Sequence, residues 1–293
     1  MATPFARFPP LARRPLLVLL AGGGTAGPAA RFGSDGLPAR GAVLDRRGLR
    51  ATFADDFSRF AAAPERRPGA RPAWRTTYFG GDRTLPANRE AQWYADPAAD
   101  GPFAVTPEGL AITAAPYPGL PQGLTHRSGL ITSQFLLTQQ YGYFEMRARL
   151  PRGRGMWPAF WLLPADGAWP PEIDVMEMLG HAPATYYVAL HARPGGSARD
   201  EVTARAGPDL ASGFHGVGLA WRADRLRWYL DDRLVHEAAT PADLHRPMYM
   251  LANLAVGAAG SWPGAAAAEA RGTMVIGWIR AWQFAGDRSE PAK

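Results

Sequence analysis

Short segments of alternating polar and apolar residues, separated by turns, run through most of the chain after residue 50. A period of two is typical of half-buried β-strands, and the 33 glycines and 28 prolines interrupt it. Residues 231–232 form a predicted turn, residues 265–270 a predicted loop, and no long amphipathic helix or internal repeat stands out. The segments with strand character are 103–105, 109–113, 142–150, 186–191, 217–221, 226–230 and 273–284. Many short strands with regular turns predict a β-sandwich or barrel.

Length and composition bound the class of protein. The 293 residues, 47% of them apolar, suffice for one large all-β domain or two small ones. No run of 18 apolar residues occurs, so no membrane-spanning segment is predicted. The absence of cysteine excludes disulfides and thiolate metal sites, but it does not identify the compartment.

The N-terminus has the parts of an export signal. Arg13 and Arg14 precede the apolar run 15–21, and small residues follow to Ala30. We predict an export signal at 1–30, with the paired arginines indicating the twin-arginine route to a secreted or periplasmic location in a bacterium. The alternative is a disordered tail with a chance apolar patch. A Gly- and Arg-rich linker is predicted at 31–50, one domain at 51–287 and a C-terminal tail at 288–293.

The charge pattern says little about partners. The net charge is +6, and every basic residue except Lys293 is an arginine. The arginines are scattered and form no block of five or six, so compositional bias explains the excess. No nucleic-acid motif or clustered basic patch is present, and no nucleic-acid partner is predicted. An anionic polysaccharide remains open as a partner, and we predict a monomer.

One segment, residues 172–177, carries three carboxylates separated by apolar residues. On a strand Glu172 and Asp174 point to one face, while Ile173 and Val175 point to the other. Glu177 has the wrong parity, but a β-bulge near residues 175–176 would return it to the carboxylate face. Three acids on one wall of a cleft suit acid/base and nucleophilic chemistry on a glycosidic bond. The alternative is an ordinary solvated sheet face.

Aromatic residues beside this segment favour the chemical interpretation. Trp157 and Trp161 lie in the run 155–164, and Trp169 follows shortly. Indole rings stack on the apolar faces of sugars, while carboxylates bind the hydroxyls. Trp157 and Trp161 share strand parity, so filling of the core is the equal alternative for both.

The sequence resembles glycoside hydrolase family 16, whose signature strand is E-x-D-x-(x)-E. Residues 172–177 match the longer, bulged form of this signature. The resemblance runs in order from about residue 53 to residue 284. Further segments that resemble strands and loops of the family are 52–57, 88–94, 128–133, 141–147, 214–215, 221, 228–231, 247–257 and 261–264.

The resemblance implies a concanavalin A-like β-jelly roll, in which two curved antiparallel sheets leave a concave glycan cleft. It also implies a retaining, endo-acting hydrolase that works by double displacement. Glu172 resembles the nucleophile, Glu177 the general acid/base, and Asp174 the residue between them that hydrogen-bonds Glu172. Such closely spaced acids titrate as a coupled set.

The resemblance extends less specifically to residues that bind substrate, and alternatives stay open for them. Asn88 and Glu90 lie where the family often contacts sugar hydroxyls, but both could equally tie down a loop. His191 resembles a cleft histidine and could equally be a core histidine. The predicted substrate-binding residues are Asn88, Glu90, Trp157, Trp161, His191, Asn253 and Trp262. The other histidines have no metal-ligand spacing, so no metal or cofactor is predicted. Some family members bind a structural calcium, which one sequence does not reveal.

The glycan is the least determined feature. The bulged signature and residues 253–264 look most like β-1,3- and mixed β-1,3/1,4-glucan hydrolases. Alternatives on the same fold are glycanases that trim bacterial exopolysaccharides, enzymes acting on agarose or carrageenan, transglycosylases, and glycan-binding modules without catalysis. Cleft loops decide among them, and loops are where resemblance is weakest.

Overall fold

Eighteen β-strands and four one-turn 3-10 helices make up the regular structure of residues 42–66 and 73–285, the part of the chain that the computed structural model describes. The strands are β1 (Leu49–Asp55), β2 (Ala62–Ala63), β3 (Trp74–Arg75), β4 (Gln92–Tyr94), β5 (Phe103–Thr106), β6 (Gly109–Pro116), β7 (His126–Ser128), β8 (Leu130–Thr132), β9 (Gly142–Arg149), β10 (Met156–Pro164), β11 (Glu172–Met178), β12 (Thr185–Ala192), β13 (Arg199–Ala206), β14 (His215–Trp221), β15 (Arg225–Leu230), β16 (Arg233–Ala239), β17 (Met248–Val256) and β18 (Gly272–Phe284). The helices are Pro86–Asn88, Pro121–Gly123, Pro194–Gly196 and Ala242–Leu244. Within these ranges, no helix has the length and apolar content needed to span a bilayer.

The strands form two sheets. The first has the order β16-β15-β14-β9-β18-β6-β7-β4, with β1 beside β18 and β5 beside β6. The second has the order β13-β12-β11-β10-β17-β8-β3-β2. The predicted all-β jelly-roll sandwich is confirmed, with one correction. The pairs β2–β3 and β4–β7 are parallel, so the sheets are mixed rather than purely antiparallel.

The main core lies between the two sheets and follows the predicted alternation. Phe144 and Met146 of β9 reach it from the first sheet, and Phe160 and Leu162 of β10 reach it from the second. The intervening β10 residues, such as Trp161, point away from the core and belong to another apolar cluster. The second sheet is therefore apolar on both faces near β10 and β17. Its outer face, directed away from the core, carries the acidic segment.

The predicted strands and turns are found where the pattern placed them. Asp231 and Asp232 join β15 to β16 with φ angles of 47° and 65°. Two consecutive residues with positive φ are the hallmark of the type I′ hairpin turn, which matches the twist of its strands. Residues 265–270 contain no helix or strand.

Residues 43–50 pack on the domain, although they were predicted as linker. Val43 bridges to Arg233, and the Leu44 N–H donates to the Asp232 carbonyl at 2.8 Å. The Arg46 guanidinium lies 3.0 Å from both carboxylate oxygens of Glu145. Residues 43–46 therefore make contacts with the folded domain N-terminal to its predicted start at residue 51. The predicted export signal at 1–30, the linker up to residue 41 and the tail at 288–293 lie outside the described residues.

Candidate active site

A β-bulge in β11 brings the three carboxylates to one face. Asp174 and Glu177 are three residues apart, but their partners Trp161 and Ala159 on β10 are two apart. The bulged residues Val175 and Met176 both reach the main core. Since two residues then oppose one, Glu177 returns to the outer face with Glu172 and Asp174, as the sequence predicted.

The carboxylates are buried although they face away from the core. Glu172 and Asp174 are each 2% exposed and Glu177 is 9% exposed. Buried carboxylates require donors, because desolvation otherwise disfavours their charged form. Tryptophan indoles supply two of them.

Each predicted catalytic glutamate accepts a hydrogen bond from an indole N–H. Trp169 Nε1 donates to Glu172 Oε2 at 2.7 Å, and Trp157 Nε1 donates to Glu177 Oε1 at 2.9 Å. Indole nitrogen donates but does not accept, so each bond fixes the orientation of the carboxyl group that accepts it. The sequence indicated aromatic residues near the acids, but it did not indicate this bonding.

The bulge is also tied to the opposite sheet. Trp228 of β15, in the main core, donates its indole N–H to the backbone carbonyl of Asp174 at 2.9 Å. A bulge interrupts the ladder of backbone hydrogen bonds, and a buried carbonyl without a donor is costly. Trp228 therefore stabilises the backbone conformation on which the alignment of the carboxylates depends.

His191 connects the acidic segment to the neighbouring strands. It lies on β12, directly opposite Glu172, and its Nε2 is 3.4 Å from Asp174 Oδ2. Its Nδ1 is 2.8 Å from Asp200 Oδ1 on β13. One ligand atom each from Glu172, Asp174 and His191 lie within 4.8 Å of one another. The prediction that His191 lies in the cleft with the acids is therefore favoured over a core histidine.

The charge of His191 follows from its carboxylate neighbours. Burial acts to lower its pKa, but the contact with Asp174, the charges of Glu172 and Asp174, and the hydrogen bond to Asp200 outweigh it and raise the pKa to about 10. A protonated imidazole offers no lone pair, so in this charge state the cluster is an ion-pair network.

We expect this pKa shift to make stability depend on pH. A histidine whose pKa is raised from 6.5 to about 10 stabilises the fold fully below pH 6.5 and loses this contribution as pH rises towards 10. The free energy of unfolding should fall by roughly 2 kcal/mol over this range, after allowance for partial solvent screening. Urea denaturation at several pH values measures it. His191→Gln should lack this part of the slope, while His181→Gln at an exposed turn should keep it; equal slopes in all three proteins would contradict the assignment.

A pocket opens beside Glu172 on the outer face. Its walls are mostly apolar and aromatic, as expected for a site that holds sugar rings. The residues that line it are Tyr78, Leu85, Pro86, Ala87, Trp161, Leu163, Trp169 and Glu172. Of the predicted platforms, Trp161 thus lies in the pocket wall. Its indole N–H donates to Asn253 Oδ1 at 2.7 Å.

The opposite side of the acidic segment, next to Glu177, is also aromatic. Trp262 makes edge contacts with Trp157 and Tyr187, at ring-centroid distances of 5.6 and 4.6 Å. Burial, with the charge of Glu177, raises the pKa of the Tyr187 hydroxyl. Trp157 and Trp262 therefore form one aromatic group beside Glu177, with Trp157 covered and Trp262 partly exposed.

Asn88, Glu90 and Asn253 bind mostly to the protein itself. Glu90 accepts hydrogen bonds from the Leu85 N–H at 2.8 Å, from Gln92 at 2.7 Å and from Asn88 at 3.3 Å. Asn253 accepts from Trp161 and donates to the Tyr94 hydroxyl at 2.8 Å. This geometry favours the loop-anchoring alternative for Asn88 and Glu90, and it makes Asn253 a support for Trp161.

Sequence reasoning left several of these residues out of the site. Trp169 was noticed only as an aromatic neighbour, although its position three residues before Glu172 was a usable signal. Tyr78 and Asp200 gave no signal, because they reach the site through strand order and loop packing. Tyr187 could have been found from its place opposite Glu177 on β12, once the bulge was assumed.

Comparisons with known proteins agree with this arrangement. The family model described as glycosyl hydrolases family 16 matches residues 99–280. The endo-1,3-1,4-beta-glycanase ExsH of Rhizobium meliloti (strain 1021) is 40% identical over 256 residues, which cover 83% of this chain and 54% of that protein. The endo-1,3-1,4-beta-glycanase EglC of the same organism is 42% identical over 227 residues. These residues cover 73% of this chain and 48% of EglC. This chain thus spans about half the length of both relatives.

A solved structure matches the fold. SCLam, described as a non-specific endo-beta-1,3(4)-glucanase from family GH16, superposes with a TM-score of 0.69 and is 26% identical. The match covers 83% of this chain and 93% of SCLam.

Proposed function

The chain belongs to glycosyl hydrolases family 16, and from this premise we propose that it is a retaining, endo-acting hydrolase of β-1,3 or mixed β-1,3/1,4 glucans. The observation that carries the proposal is the bulge of β11, which places Glu172, Asp174 and Glu177 on one aromatic-lined face. Paired carboxylates of this kind support double displacement at an anomeric carbon.

Glu172 is the proposed nucleophile. It lies at the pocket, and the Trp169 indole fixes its Oε2. A carboxylate held in one orientation needs less reorganisation to attack the anomeric carbon. The covalent glycosyl-enzyme that forms is then hydrolysed by water.

Glu177 is the proposed general acid/base. In the first step it protonates the leaving glycosidic oxygen, and in the second it accepts a proton from the attacking water. The Trp157 indole orients its Oε1, and Trp262 and Tyr187 close the same side. The rings of Trp262 and Tyr187 support the sugar of the leaving group.

Asp174 lies between the two glutamates along β11, and its ligand atom is within 4.8 Å of that of Glu172. Two carboxylates this close repel when both are ionised, so the proton distribution of the pair is coupled. We assign to Asp174 the control of charge at Glu172. This control matters when Glu172 attacks the anomeric carbon and its negative charge decreases.

The names of the relatives support a β-glucan substrate, as does the aromatic lining of the pocket.

We also propose export of the protein through residues 1–30, because a polymeric glucan meets the enzyme outside the cytoplasm. Replacement of both Arg13 and Arg14 by Lys tests the twin-arginine route.

The direct test is to incubate the purified full chain with laminarin, lichenan, agarose, carrageenan and a bacterial exopolysaccharide. New reducing ends should appear with laminarin or lichenan, and viscosity should fall early, as endo cleavage requires. NMR of the first product should show the β-anomer. The Glu172→Ala variant gives the background. Binding to these glucans without release of reducing ends from any glycan would establish a binding module instead.

A further inference from the structure

We infer that Asp200 is a positioning residue of the active site, which acts on Asp174 and Glu172 through His191. This inference rests on the proposed function, since it concerns the same carboxylates. Asp200 touches neither of these two acids directly. It lies on β13, the edge strand of the second sheet, two strands away from the acidic segment.

The strand register brings the three positions into one row. Glu172 of β11 pairs with His191 of β12, and His191 pairs with Asp200 of β13. All three side chains lie on the outer face, since Leu190 between Ala189 and His191 points into the main core. Directly opposed outer residues on adjacent strands have side chains close enough to interact.

A small residue lets the histidine reach the middle carboxylate. Asp174 pairs with Ala189, whose methyl group leaves room beside the carboxylate. His191, two positions further along β12, spans the diagonal so that its Nε2 lies 3.4 Å from Asp174 Oδ2. Diagonal neighbours on a sheet are within reach of ring side chains.

Both ring nitrogens of His191 face carboxylates. Nδ1 is 2.8 Å from Asp200 Oδ1, and Nε2 faces Asp174. A neutral imidazole has one nitrogen without a proton, which would face a carboxylate oxygen unfavourably. The arrangement therefore favours an imidazolium, which is hydrogen-bonded to Asp200 and forms an ion pair with Asp174. Carboxylates from both flanking strands face it: Glu172 and Asp174 on β11, and Asp200 on β13.

Asp200 thus orients the ring of His191, as a carboxylate bonded to one ring nitrogen does for many functional histidines. It fixes the ring plane and favours the charged form. The imidazolium then offsets the repulsion between Asp174 and Glu172, so both can be ionised while Glu172 attacks. If Asp200 is lost, the ring can turn or deprotonate, and the ion pair between His191 and Asp174 is weakened.

The test compares Asp200→Asn and Asp200→Ala with Glu201→Gln. Glu201 is the next residue on β13; it pairs with Arg199 and faces the opposite side, so its removal controls for the loss of one negative charge. We expect kcat on laminarin or lichenan to fall about tenfold in Asp200→Ala and less in Asp200→Asn, with little change in KM. As pH is raised, both Asp200 variants should lose activity at a pH about one unit lower than the parent does, because His191 deprotonates earlier. Asp200→Glu, which keeps the carboxylate, should recover part of the rate.

NMR titration of the imidazole of His191 gives a readout that needs no turnover. Its signal is assigned among the six histidines by its loss in His191→Gln. Its pKa should fall in both the Asn and Ala variants at position 200 and stay unchanged in Glu201→Gln. An unchanged titration, or a changed titration with parental kinetics, would overturn the inference. If the parent chain cleaves no glycan, the proposed function fails on its own, and the titration still decides whether Asp200 controls His191.

Discussion

Glu172→Ala is expected to reduce glucan hydrolysis by about 10⁴-fold or more, because it removes the group that forms the covalent intermediate. Sodium azide should restore turnover on an activated aryl β-glycoside. The small anion occupies the space left by the carboxylate and attacks from the same side. Its product should be the α-glycosyl azide, with inverted configuration, which NMR identifies.

Glu172→Gln is the matched control, because it keeps the side-chain volume and an acceptor for the Trp169 indole. It should be as inactive as the alanine variant, but azide should not rescue it. Both variants should fold, since loss of one of two neighbouring charges relieves repulsion and offsets the lost hydrogen bond. Retention of more than about one per cent of the parental rate, or a β-configured azide product, would remove Glu172 from the nucleophile role.

Much of the fold follows from strand periodicity alone. The pattern along 142–150 and 273–284 predicted strands, and β9 and β18 lie there, although residues 142–146 of β9 are buried on both faces. The bulge was predictable because three carboxylates on one face require it, and Val175 and Met176 are both apolar. These inferences succeed because they depend only on neighbouring residues and on the rule that apolar side chains point inward.

The rest depends on contacts that the local pattern does not contain. Tyr78 lines the pocket from a loop more than 90 residues before Glu172, and Arg46 reaches Glu145 from a segment that reads as linker. The two-strand path from Asp200 to Asp174 requires the order β13-β12-β11 and the bulge in register. One sequence gives strands, but strand order and register come from the packing of the whole domain.

Residues that carry several hydrogen-bonding options were the hardest to interpret. Glu90 lies in a segment that resembles sugar-contacting residues, but its oxygens bind Leu85, Gln92 and Asn88 of its own loop. Trp157 and Trp161 were weighed as platforms or core, and the structure gives each a third role, as donor to Glu177 and Asn253. Such choices are set by which partner lies within about 3 Å, which sequence spacing does not fix.

Glu177→Ala is expected to separate substrates by their leaving groups. Hydrolysis of natural glucans should fall by about 10³- to 10⁴-fold, because the leaving sugar oxygen needs a proton. An aryl glycoside with a good leaving group should still form the glycosyl-enzyme at a near-parental rate, seen as a burst of phenol. Turnover after the burst should be slow, since no base activates water.

Azide acts differently in this variant and thereby distinguishes the two glutamates. It should attack the intermediate held by Glu172 from the side that Glu177 vacates, and give the β-glycosyl azide with retained configuration. Glu177→Gln keeps an acceptor for the Trp157 indole and should leave the rings of Trp157, Trp262 and Tyr187 in place. Like Glu177→Ala, it should lose activity on glucans, because an amide donates no catalytic proton. Equal loss on activated and natural substrates, or α-azide from Glu177→Ala, would show that the acid/base lies elsewhere. The two azide products arise on opposite faces of one sugar ring, and this requires Glu172 and Glu177 to flank it, as the bulge in β11 allows.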